Sequence, residues 1–135
     1  VQGVKAETML MADHGYALHS QTYIATDDSI ANRRADLVAL MAGEAKGWDA
    51  YHQDTDAAAD LTVAMFPDAG MDLATQKLQA ERQVPLMFSD LTQANGFGWW
   101  TDDAVEANIR TLALLGRDVT PDLWDRSILE EVHAG

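Results

Sequence analysis

Four histidines, His14, His19, His52 and His133, are the side chains best suited to metal or proton chemistry. His14 and His19 lie five residues apart beside Asp13, a spacing that brings two or three ligands near one point. A catalytic zinc site needs three protein ligands, each held by its own hydrogen-bonded partner. The helical His-Glu-x-x-His pattern that supplies two of them is absent. The pair therefore reads as a turn histidine and a strand-flanking one, and no metal or other cofactor is expected. Residues 54–60, Asp-Thr-Asp-Ala-Ala-Ala-Asp, begin like a calcium loop. Ala59 stands where such a loop needs Gly and Met65 where it needs Glu, so these acids read as helix caps. Ser20, Ser29, Ser89 and Ser127 lie in no nucleophile elbow, and Ser29 and Ser89 have the look of helix starts. Gly96-Phe97-Gly98 lacks the third glycine and the Lys-Ser/Thr of phosphate-cradling loops. Asp102/Asp103 and Glu130/Glu131 are adjacent pairs, which diverge by about 100° on a helix and cannot flank a substrate. The expectation is a protein that is not an enzyme.

Binding is better served than catalysis. Phe97, Trp99 and Trp100 cluster in a glycine-punctuated loop, and Tyr16 and Tyr23 bracket the first turn. Indole and phenol rings offer flat apolar walls with one polar handle, which suits a small-molecule cleft. Trp99 and Trp100 read first as closing a hydrophobic core at a helix start, with the alternative that one ring faces a ligand. Trp48 and Trp124 fall on amphipathic stripes and are expected in the core.

The elements that must position these groups follow from local pattern. Val4–Ala12 partly alternates and stops at the turn Asp13-His14-Gly15, while Gln21–Thr26 is rich in β-formers. Thr26-Asp27-Asp28 caps a helical segment reaching to about Gln53, whose stripe is Leu37, Met41, Ala45 and Trp48. Thr55 opens a shorter helix stopped by Pro67, and Asp72 opens another expected to end before Val84-Pro85. Thr101 starts a helix with the stripe Val105, Ile109, Leu112, Leu115 and a stop at Gly116. Thr120-Pro121 starts the last one, carrying Trp124, Ile128 and Val132. Two strands followed by about five helices make an incomplete α/β pattern, since an isolated strand pair is marginal in water.

Composition limits the partners. The 135 residues hold 9 Lys+Arg against 22 Asp+Glu, a formal net charge of −13, which leaves no basic surface for nucleic acid or anionic lipid. The absence of cysteine removes disulfides and thiolate chemistry. No apolar run approaches the roughly 20 residues of a membrane helix. The chain opens at Val1 without a basic-then-apolar leader, and is expected to be a mature chain, a proteolytic piece or a trimmed one.

The order of the pieces resembles a family. Met9–Tyr16 (Met-Leu-Met-Ala-Asp-His-Gly-Tyr), then Thr22–Thr26, then a helix Arg34–Trp48 ending Ala-Lys-Gly-Trp, look like the later part of ABC-transporter solute-binding proteins. The closest group is the one that binds sulfonates, nitrate and thiamine-pyrimidine precursors. Gly96-Phe97-Gly98-Trp99-Trp100-Thr101-Asp102 and the closing Thr120–Leu129 fit the same group. The helix around Asn32-Arg33-Arg34 departs from it in lacking a common proline.

The resemblance implies the C-terminal part of a two-lobed, type II periplasmic-binding-protein fold. Residues 1–26 would be the strand and turn returning between lobes, and residues 27–135 the helical portion of one lobe. It implies a periplasmic or otherwise extracytoplasmic protein that closes on a small organic ligand and delivers it to an ABC permease. Its further partner would be the N-terminal part of the same protein, and the piece alone would be open to self-association. Asp13, His14, Tyr16 and His19 are the expected cleft or hinge residues on position and chemistry, with Trp99 and Trp100 as additional candidates. Two other readings remain open. One is a thiamine-pyrimidine synthase of the same fold, whose cysteine-rich motif this chain lacks; the other is a free-standing helical interaction module.

Overall fold

Side-chain oxygens start most of the helices. In a computed structural model, which describes residues 7–134, α1 (Asp27–Asn32) begins where the Thr26 hydroxyl accepts from the Ser29 N–H at 3.1 Å. Arg33 then leaves helical geometry for one residue, and α2 (Arg34–Gln53) follows. Asp54 caps α3 (Thr55–Met65) and Asp72 caps α4 (Leu73–Met87), each accepting from the amide three residues on. Ser89 and Thr92 close a reciprocal capping box on α5 (Asp90–Asn95), and Thr101 caps α6 (Asp102–Leu114). The chain finishes with α7 (Ser127–His133). Each cap satisfies an amide that the first helical turn leaves without a partner.

α2 contacts α1, α3 and α7, and α3 lies against α4. The buried apolar residues are Ala45, Ala59, Ala80 and Val105, one each on α2, α3, α4 and α6. Large apolar side chains stay outside: Ile24 is 93% exposed, Leu114 80% and Met9 74%. Trp48 and Trp124, expected in the core, are only half-buried.

The α/β expectation is overturned: among the described residues the protein is helical, with no strand ladder. The first proposed strand splits. Val4–Ala6 lie outside the described residues, Glu7–Leu10 run without regular structure, and Met11–His14 wind into a 3-10 turn. Gly15 ends that turn at φ +86°, a conformation glycine adopts without a Cβ penalty. The second segment, Gln21–Thr26, is not helical and pairs with no strand among the described residues. β-Formers alone do not make a strand, because the ladder bonds belong to the pair. The two-lobed α/β assignment therefore falls. Two smaller expectations also change: α4 runs through Pro85 to Met87, and Trp124 precedes α7 rather than joining it.

Candidate functional site

Three neighbourhoods hold the side chains singled out in the sequence, together with others that become visible only in three dimensions. The first is the segment leading out of the 3-10 turn. Asp13 and His14 sit in that turn, both exposed, and Tyr16 and His19 follow it half-buried. Two polar side chains of α6 hold the segment down. The Ala17 N–H donates to Thr111 Oγ1 at 3.2 Å, and the His19 N–H donates to Asn108 Oδ1 at 2.7 Å. Asn108 and Thr111 are 5% and 1% exposed, and each also donates back to its own helix, at Ala104 and Ala107. Alternate amides of an extended segment thus meet residues three apart on a helix. Further along, the Tyr23 hydroxyl donates to Glu44 on α2 at 2.7 Å.

Burial lowers the His19 pKa from its ordinary value of 6.5, so the folded chain favours the neutral ring. Protonation is then easier in the unfolded state. The contribution to stability is full above pH 6.5 and is lost as pH falls below it toward the lowered folded value. Thermal melts at about pH 7.5 and about pH 5.5 are expected to show a decline that His19→Gln reduces. An unchanged decline in that variant would assign the effect to other groups.

The second neighbourhood is built on Trp99 and Trp100. Arg126 lies against both rings, its guanidinium carbon 5.2 Å from the Trp99 centroid and 4.9 Å from that of Trp100. It also donates to the Trp100 carbonyl at 3.0 Å and faces Asp102 and Glu130 at 3.4 and 3.3 Å. A cation over an indole face is a stabilising contact. Arg126 therefore supplies, from within the chain, the kind of contact a bound cation would make. No hydrogen bond, ion pair or ring contact joins Asp13, His14, Tyr16 or His19 to either tryptophan among the described residues. The described contacts thus tie His19 to α6 and the two tryptophans to Arg126.

The third neighbourhood was not foreseen. A cleft of about 560 Å³ opens between one face of α2, the end of α4, α5, the turn 96–98 and α7. Three rings line it: His52 stacks on Phe88 at 4.2 Å and Phe88 meets Phe97 at 5.8 Å, while Phe97 is backed by Trp48 at 5.6 Å. His133 lies over Gly96, where any Cβ would collide with its ring. Its Nε2–H donates to the Phe97 carbonyl at 3.0 Å; a carbonyl only accepts, which fixes the proton on Nε2. Among the described residues no group of three or more His, Asp and Glu side chains is disposed to hold a metal ion.

No protein-family model, curated protein or solved structure matches the chain. The likeness to solute-binding proteins rests on the sequence segments quoted for it.

Proposed function

We propose that this chain works in an extracytoplasmic solute-binding component of an ABC importer. The component would take up a small organic ligand, a sulfonate, a nitrate-like anion or an aminopyrimidine, and deliver it to a membrane permease. The role is binding, with no catalytic step. One observation carries the reading: the segment from Met9 to Ala25 is fastened to α6 at Ala17 and His19 and to α2 at Tyr23, and is exposed over residues 9–15 and 20–25. Met9 is 74%, Tyr23 59% and Ile24 93% exposed. From Leu18 to Ala25 no backbone-to-backbone hydrogen bond reaches another segment among the described residues. Apolar side chains and free backbone groups on one edge are a surface that further polypeptide covers favourably.

Asp13, His14, Tyr16 and His19 lie along this segment and offer a carboxylate, two imidazoles and a phenol to a small polar ligand. The N-terminal part of the same protein is the proposed covering body. A ligand held between this segment and the covering polypeptide favours the covered state by its differential affinity. Calorimetry on the full-length protein with taurine, nitrate and an aminopyrimidine tests the reading. One of these is expected to bind in about the micromolar range, and His14→Ala or Tyr16→Ala to weaken it about tenfold or more. Residues 1–135 alone are expected to bind it far more weakly. Equal affinity of the two forms, or no binding of any of the three by the full-length protein, would overturn the proposal.

A further inference from the structure

The cleft between α2, α5 and α7 contains two charges that the fold leaves open. Lys46 and Asp49 lie three residues apart on α2, and both line it. Neither makes an ion pair or hydrogen bond among the described residues. At the same spacing, Arg33 and Asp36 close to 3.1 Å. The four-residue pairs Arg110/Glu106 and Arg126/Glu130 also close, to 3.5 and 3.3 Å. The Lys46/Asp49 pair, at helical spacing, thus faces the cleft without neutralising itself among the described residues. The Gln93 side-chain amide lines the same space and makes no hydrogen bond among the described residues, and the rings of Phe88 and Phe97 supply apolar wall.

We propose that this cleft binds a single zwitterionic amino acid with an aromatic side chain. The ligand's ammonium faces Asp49, its carboxylate faces Lys46 and the Gln93 amide, and its ring meets Phe88 and Phe97. Charge selects the class. A net anion is opposed by the overall charge of −13 and by Asp49; a net cation is drawn by both but opposed locally by Lys46, and leaves Lys46 without a counter-charge. A molecule carrying both charges matches both side chains and is neutral toward the overall field. The volume of about 560 Å³ falls within the roughly 300–1,000 Å³ usual for small-molecule sites. The site uses none of Asp13, His14, Tyr16 or His19, so it stands or falls separately from the transport reading.

The test uses the full chain and three matched probes: L-phenylalanine, 3-phenylpropionate, which lacks its ammonium, and phenethylamine, which lacks its carboxylate. NMR titration followed at the Gly96 and Gly98 amides is expected to show saturable shifts with phenylalanine. Each truncated probe is expected to bind about tenfold or more weakly. Lys46→Met is expected to abolish the preference over phenethylamine and Asp49→Asn the preference over 3-phenylpropionate, a crossed pattern that a structural effect would not produce. Both side chains are exposed, so melting temperatures should stay at the parent value. The proposal is overturned if no saturable shift appears, if either truncated probe binds as tightly as phenylalanine, or if both variants weaken all three probes alike.

Discussion

Gly96→Ala is expected to destabilise the protein by about 2–4 kcal/mol, as backbone strain and a lost side-chain contact add. Gly96 follows α5 at φ +103° and ψ 159°, a region that residues with a Cβ enter at a cost of about 1–3 kcal/mol. The new methyl would also overlap the His133 ring. Moving that ring breaks its bond to the Phe97 carbonyl and its edge contact with Trp99, and it disturbs α7 where it lies on α2. Gly98→Ala is the internal control. Its φ is also positive, at +81°, but its Cβ would meet only Leu129 methyls at 3.7 and 3.9 Å. Denaturant unfolding should therefore rank Gly96→Ala well below Gly98→Ala. In Gly96→Ala/His133→Ala the overlap is gone and the backbone cost remains, so the double variant is expected to lose less than the sum of the two single losses. Strict additivity would show that ring and glycine are not coupled.

Capping is local chemistry, which is why the starts of α1, α4 and α6 at Thr26, Asp72 and Thr101 could be read from sequence alone. Ser89 belongs with them; at α3 the cap is Asp54, one residue before the Thr55 expected. The strands were misread because Gln21–Thr26 has β-forming residues but no ladder partner among the described residues, and residue type does not encode pairing. The sequence reads Pro85 as a stop, because proline lacks an N–H and its ring crowds the preceding turn. The Phe88 amide still reaches the Val84 carbonyl at 2.9 Å, and α4 continues.

The α6 stripe drawn through Val105, Ile109, Leu112 and Leu115 follows hydrophobicity. The buried line is Val105, Asn108 and Thr111, turned inward because the segment laid over it presents amides that need acceptors. A polar pair three apart on an otherwise amphipathic helix was the available signal. The cleft was less legible still. The face of α2 that carries Ala45, Asp49 and His52 is visible as a spacing, but the arrival of Phe88, Gln93 and His133 opposite it is a tertiary event.

Removing the two polar anchors of α6 is expected to free the segment they hold while leaving the helix intact. Asn108 Oδ1 is the acceptor for the His19 amide, and leucine of similar size leaves that part-buried N–H unpaired, at about 1–3 kcal/mol. Thr111→Val keeps the shape and deletes the acceptor for the Ala17 amide, at about 1 kcal/mol. Both bonds restrain one short stretch, so the second loss should cost less than the first, and the double variant less than the sum. Hydrogen exchange separates the causes. The Ala17 and His19 amides should exchange rapidly in Asn108→Leu/Thr111→Val, while the amides within α6 keep their protection, because neither substitution removes a backbone bond of that helix. Loss of protection throughout α6 would mean that the substitutions act on the helix, and unchanged protection at Ala17 and His19 would mean that other contacts hold the segment. If this segment takes part in binding as proposed, the same double variant should also weaken that binding, because Tyr16 and His19 would no longer be held at fixed positions and ordering them would cost conformational entropy.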